Sequence, residues 1–91
     1  MLNFDWDSSK AKANLRKHGL SFEEASTAFE DTLSMTISDP LSSVSEERFV
    51  TIGETELGKL VVVVHTDRRD TVHIISARKA SRRERMLYEE K

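Results

Sequence analysis

Five cations crowd into eight positions, Arg78, Lys79, Arg82, Arg83 and Arg85, where an apolar stretch gives way to a helix-start signal. If a helix begins at Ser81, Arg78 and Arg82 reach one anion together. The free N–H groups of the first turn add partial positive charge there. Such a corner suits a phosphate, on RNA or on DNA. The plain alternative is a solvated basic helix start paired with Glu84 and Glu89. Cations in a first turn oppose the helix dipole, which tilts the balance slightly toward a functional reason. His65, ending a strand beside Arg48, is a second candidate, as general acid or base. His18 precedes Gly19 and reads as a helix cap, and His73 reads as a structural residue of an edge strand.

Other chemistries are poorly served. There is no cysteine, and three scattered histidines without HxH or HxxxH spacing give no metal site. No Gly-rich phosphate loop and no GxSxG elbow is present, so neither a metal nor an organic cofactor is expected. Arg, Lys, His and Glu remain. That set suffices for metal-free RNA cleavage, because RNA supplies its own 2′-OH nucleophile. The protein then needs only a base, cations for the phosphorane charge and an acid for the leaving oxygen. DNA lacks the internal nucleophile, and the same residues are ill equipped to cut it.

Ninety-one residues, 37% hydrophobic and 33% charged, describe one globular domain spanning 1–91. No run approaches the ~20 apolar residues of a membrane span, and MLNFDWD does not resemble a signal peptide. A cytoplasmic protein is expected. The net charge of −2 argues against a general nucleic-acid coat.

The elements that must position these residues follow from periodicity. Asp7 caps a first helix with Ala11, Leu15 and His18 on one stripe and Gly19 as its stop. Ser21-Phe22-Glu23-Glu24 is a capping box opening a second helix, with Phe22, Ala25 and Phe29 on one face and an end near Asp31. Leu33, Met35 and Ile37 then alternate with polar residues as a strand, closed by Asp39-Pro40 and the Ser-rich loop. Arg48–Ile52 is a second strand. Leu60–Val64, five apolar residues, is a buried central strand, and Thr71–Ala77 returns as its hairpin partner. Ser81–Glu84 opens a last helix through Tyr88. The expected fold is α+β: two N-terminal helices, a four-stranded antiparallel meander and a C-terminal helix, α-α-β-β-β-β-α.

Pairing Glu54 with Lys59 and Asp67 with Asp70 sets Arg48 opposite His65 and Lys59 opposite Arg78. Val50, Ile52, Val61, Val63, Val72 and Ile74 then share the face under the N-terminal helices. Phe49, Leu60, Val62, Val64 and Ile75 share the other, too apolar to face only water. In this register His65 and Arg78 lie about six rises of ~3.4 Å apart and cannot share a phosphate.

Four segments resemble the BrnT toxins: Phe4-x-Trp6-Asp7-x-x-Lys10; Asn14-x-x-Lys17-His18-Gly19-Leu20-x-Phe22-Glu23-Glu24-Ala25; Glu46-Glu47-Arg48-Phe49-x-x-Ile52-Gly53; and Ile75-Ser76-Ala77-Arg78-x-Ala80-x-Arg82-Arg83-Glu84-Arg85-x-x-Tyr88. They cover nearly the whole chain in the family's order. The resemblance implies a ribonuclease toxin of a type II toxin–antitoxin pair with a RelE-like fold, arresting translation and growth. It implies a BrnA-like ribbon-helix-helix antitoxin as partner, through which alone the toxin meets DNA. By motif it places RNA contact or chemistry on Arg78, Arg82 and Lys17. Arg48 and His65 are added from register and chemistry. Trp6, Phe22 and Gly19 read as core and turn.

Three readings differ in class. A ribonuclease toxin arrests growth when expressed alone. A non-catalytic partner-binding module, or an inactive toxin, acts only inside an antitoxin complex and cuts nothing. A direct DNA-binding regulator needs a recognition helix, and the acidic end of the last helix, LYEEK, counts against it.

Overall fold

The structure, a computed structural model, describes residues 2–39 and 46–90. In chain order these form β1 (Asn3–Trp6), α1 (Ser8–His18), α2 (Phe22–Ser26), a 3-10 turn (Thr27–Glu30), β2 (Met35–Ser38), β3 (Phe49–Glu54), β4 (Leu60–Arg68), β5 (Thr71–Lys79) and α3 (Arg82–Glu89). The expected loop from Pro40 to Ser45 lies outside the described residues. Among those described, no helix is long and apolar enough to cross a membrane.

Both N-terminal helices start as their caps predict. The Asp7 carboxylate accepts from the Lys10 N–H at 3.0 Å, and the Ser21 hydroxyl accepts from the Glu24 N–H at 3.0 Å. Gly19, at φ 67°, ends α1 in the left-handed conformation. The expected second helix is divided: α2 tightens into the 3-10 turn where the Ser26 and Thr27 hydroxyls donate back to the carbonyls of Glu23 and Glu24, each at 2.7 Å.

The sheet corrects the four-stranded meander. It is five-stranded and mixed, in the order β1-β5-β4-β3-β2, with β1 running parallel to β5. Residues Asn3–Trp6 alternate polar with aromatic, so the period of two was present in a segment too short to stand out. Phe4 and Trp6 point toward the helices, where Trp6 meets Phe22 edge-on at 5.8 Å and Phe4 meets Phe29 at 5.3 Å.

The register is corrected as well. β3 pairs with β4 one residue away from expectation: Phe49, not Arg48, lies opposite His65, and Glu54 pairs with Leu60. A one-residue slip moves every side chain to the opposite face. Val50 and Ile52 therefore join Leu60 and Val62 under α3 with Met35, Ala80 and Tyr88. Val61 and Val63 pack with Val72, Ile74, Ala77, Leu20 and Phe22 beneath the N-terminal helices. Arg78 pairs with Val62 rather than Lys59.

A bulge explains how β5 serves this core. Val64 pairs with Ser76 but His65 pairs with Ile74, leaving Ile75 as an extra residue. Ala77, Ile74 and Val72 can then all face the helices. Asn14, buried in α1, fixes this strand. Its amide donates to the carbonyls of Ala77 (2.8 Å) and Leu20 (3.1 Å) and accepts from the Ala77 N–H (3.1 Å).

Candidate active site: a polar cleft opposite the N-terminal helices

The cleft lies on the sheet face turned away from α1 and α2. Its floor is built by cross-strand neighbours. Thr66 of β4 pairs with His73 of β5, and His73 pairs with Asp5 of β1. Two residues along β4, Arg68 points the same way, and Arg48 enters just ahead of β3. Lys10, Glu46 and Ile75 complete the lining of a cleft of about 170 Å³.

Its electrostatics are set by two contacts. Arg68 holds Glu46 through Nε at 2.9 Å and Nη2 at 3.1 Å. Hydrogen bonding to Arg68, with smaller attraction from Arg68 and His73, lowers the Glu46 pKa. The reciprocal bond from Glu46 raises that of Arg68. His73 Nδ1 meets Asp5 Oδ1 at 2.5 Å. A carboxylate accepts, so Nδ1 carries the proton and Nε2 of the neutral ring keeps a lone pair. Among the described residues, Lys10 and Arg48 hold no carboxylate. Three permanent cations and a carboxylate-backed imidazole thus converge on one surface. Acid–base chemistry on an anionic substrate is what that set can do.

The structure scatters the five residues singled out from sequence. Arg48 alone reaches the cleft. His65 is 2% exposed and lies on the opposite face, beneath the helices. There Nδ1 meets Asp67 at 2.8 Å, Nε2 meets the Thr51 hydroxyl at 2.8 Å, and the Phe29 and Phe49 rings flank it. The sheet itself therefore divides His65 from both Arg48 and Arg78. Arg78 is three positions from His65 along β4, not six, but on the other face. Its guanidinium forks onto Glu84 with two bonds of 2.8 Å. Glu84 also accepts from the Ser81 N–H at 2.8 Å and completes the capping box of α3. The Arg78 bond, with help from Ser81, holds the Glu84 carboxyl at about 2 despite partial burial. The Arg78 fork is thus occupied by an internal carboxylate. Arg82 is exposed on α3, and Lys17 is exposed in the last turn of α1.

His73, Asp5, Thr66, Arg68, Glu46 and Lys10 went unnoticed as a group. The available signal was the alternation Thr66-x-Arg68 facing His73 across the hairpin, readable only with the turn placed correctly and β1 added at the edge.

Two comparisons bear on identity. The family model described as "Ribonuclease toxin, BrnT, of type II toxin-antitoxin system" matches residues 6–84. The 1.1 Å crystal structure of the Brucella abortus ribonuclease toxin BrnT is 29% identical and superposes with a TM-score of 0.66. The match covers 90% of this chain and 100% of that one. No curated protein matches the chain. With the α+β architecture shared and the family model spanning most of its length, this chain belongs to the BrnT family of ribonuclease toxins of type II toxin–antitoxin systems.

Proposed function

We propose that the protein is a metal-independent endoribonuclease whose active centre is the polar cleft. The observation that carries this reading is the His73–Asp5 pair set among Lys10, Arg48 and Arg68. His73 Nε2 takes the proton of the RNA 2′-OH, and the 2′-oxygen forms its bond to phosphorus as the P–O5′ bond breaks. The cations hold the charge that builds on the phosphorane oxygens, and the departing 5′-oxygen takes a proton from water. The products are a 2′,3′-cyclic phosphate and a 5′-hydroxyl.

Arg82 and Lys17 lie outside the cleft and act, in this reading, by attracting the RNA backbone over a distance. Arg78 acts by holding the start of α3. Cleavage arrests translation and growth until a BrnA-like ribbon-helix-helix antitoxin neutralises the toxin, which meets DNA only through that partner. Membership of a type II toxin–antitoxin family supports a protein partner. Exposed Met86 and Leu87 on α3 and Ile37 on β2 offer it apolar surface.

Tightly controlled expression, following growth and RNA integrity together, tests this. The wild type should arrest growth and cut RNA, and folded His73→Ala should lose on the order of 10²-fold in cleavage. Intact RNA and normal growth with folded wild type would favour the other reading, a non-catalytic module acting only within an antitoxin complex.

A further inference from the structure

Thr66 is 3% exposed, and its Oγ1 is the one buried side-chain oxygen or nitrogen without a hydrogen-bond partner among the described residues. The other buried threonines are engaged. Thr51 joins Thr36 and His65, while Thr55 donates to Glu24 and accepts from the Lys59 N–H. A buried hydroxyl left unpaired destabilises a fold, and valine would fill the same space on a strand without that penalty. The lone hydroxyl therefore has no structural partner, yet Thr66 belongs to the lining of the cleft, and its oxygen lies just beneath that surface.

Three side chains of the same lining can only donate. Arg48, Arg68 and Lys10 are obligate donors, and a hydroxyl supplies one more. Arg68 already grips one oxyanion, the Glu46 carboxylate, through two nitrogens. Arg68 is half exposed, and Lys10 and Arg48 are exposed too, so these long side chains can part to admit a ligand to the floor.

We propose that Thr66 anchors a tetrahedral oxyanion, a phosphodiester of RNA, at the floor of the cleft, with the bound phosphate displacing Glu46 from Arg68. This assignment rests on the ribonuclease reading for its ligand, though not for its geometry. Thr66 is a binding residue that sets where phosphorus sits relative to His73.

The test compares wild type, Thr66→Val and Thr66→Ser in the full chain. Inorganic phosphate is titrated by NMR, and a 2′-O-methyl oligonucleotide, which cannot be cleaved, by fluorescence anisotropy. Thr66→Val should weaken oligonucleotide binding about tenfold or more, the scale of a hydrogen bond to a charged group. It should also abolish the phosphate-induced shifts at residues 66 and 73 while raising Tm. Thr66→Ser should stay within about threefold of wild type. Unchanged binding in Thr66→Val, or a lowered Tm showing that the hydroxyl had an internal partner, would overturn the proposal. So would phosphate binding without oligonucleotide binding, which would point to a small anion instead of RNA. Cleavage of unmodified RNA, read in parallel, separates the two readings. Thr66-dependent oligonucleotide binding with intact RNA sinks the ribonuclease and sustains the anchor. Cleavage indifferent to Thr66→Val does the reverse.

Discussion

Replacing Thr51 by valine should expose how His65 is held. The bond directions follow from the chemistry of the partners. Asp67 can only accept, so His65 Nδ1 carries the proton and Nε2 accepts. The Thr51 hydroxyl must then donate to Nε2, at 2.8 Å, and its oxygen accepts from the Thr36 hydroxyl at 2.7 Å. Thr51 is wholly buried and His65 is 2% exposed, whereas Thr36 is exposed and recovers its bond from water. Valine leaves no cavity. The cost is therefore one hydrogen bond and a stranded Nε2, offset in part by the added apolar methyl, about 2 kcal/mol in all. In a domain of this size that is a fall in Tm of about 8–16 °C. Urea and thermal unfolding at neutral pH measure it. Adding His65→Phe removes the stranded nitrogen and leaves an aromatic ring between Phe29 and Phe49. The double variant should recover about 1 kcal/mol or more relative to the sum of the single changes, and should still cut RNA. Additive destabilisation would refute the hydrogen-bond chain. Loss of cleavage in a stable double variant would return His65 to the chemistry.

Other expectations follow from the same contacts. Burial lowers the His65 pKa more than Asp67 raises it. Between the folded value and the ordinary ~6.5, the unfolded chain then binds more protons. Stability should be full above ~6.5 and fall as pH drops through the folded-state value, a slope that His65→Phe removes when unfolding is followed across pH. Arg78→Ala frees Glu84 from a half-exposed pair. About 0.5–1 kcal/mol should be lost, with faster amide exchange confined to α3. Because the Glu84 carboxyl sits near 2, the contribution of that pair is present above its ordinary value and disappears only on strong acidification. Gly53→Ala should destabilise by about 1–3 kcal/mol, since a Cβ there would stand 2.8 Å from the Ala28 carbonyl oxygen and 3.1 Å from the Ser34 Cβ; a change below ~0.5 kcal/mol in urea unfolding would show that the 3-10 turn yields easily.

Local chemistry and the antiparallel order of β2 to β5 were legible in the sequence, but the register and the edge strand β1 were not. Caps, stops and apolar stripes are short-range signals, and Asp7, Gly19, Ser21 and Ser81 all mark the ends they were expected to mark. Register depends on turns. The turn from Thr55 to Lys59 adds its own pair, with the Thr55 N–H donating to the Lys59 carbonyl at 2.8 Å. That shift sent Val50 and Ile52 to the other face. The β4–β5 turn closes on Arg69 and Asp70, with Arg69 at φ 58°, so the strands continue to Arg68 and Thr71. A left-handed arginine has no sequence signature. The same limits explain the site. Arg78 looked like an anion ligand because its charge was visible and its partner Glu84, six residues on, had several other possible roles. His73 looked structural because its partner is 68 residues away on a strand that four residues barely announce.

The resemblance to BrnT rests partly on residues that build the scaffold. Asn14 of the second matching segment bonds to Ala77 of the last, joining them across the domain. That bond requires Ala77 to face inward, beside Val63. In a regular strand Ile75 and His73 would then also face inward, and Val72 and Ile74 would face out. The extra residue at Ile75 breaks that alternation. It keeps Val72 and Ile74 in the core, with Ala77, while turning His73 out beside Thr66 and Asp5. One bulge thus reconciles the packing that holds the fold with the cleft that gives it a candidate chemistry. Deleting Ile75 removes the reconciliation. Either Ala77 stays with Asn14 and His73 swings under the helices, or Val72 and Ile74 keep the core and Asn14 loses its two hydrogen bonds to Ala77. Both outcomes cost stability, but only the first loses the His73–Asp5 pair. Its ring shifts in an NMR titration would tell them apart. A stable variant with His73 still facing Asp5 would show that the bulge is incidental.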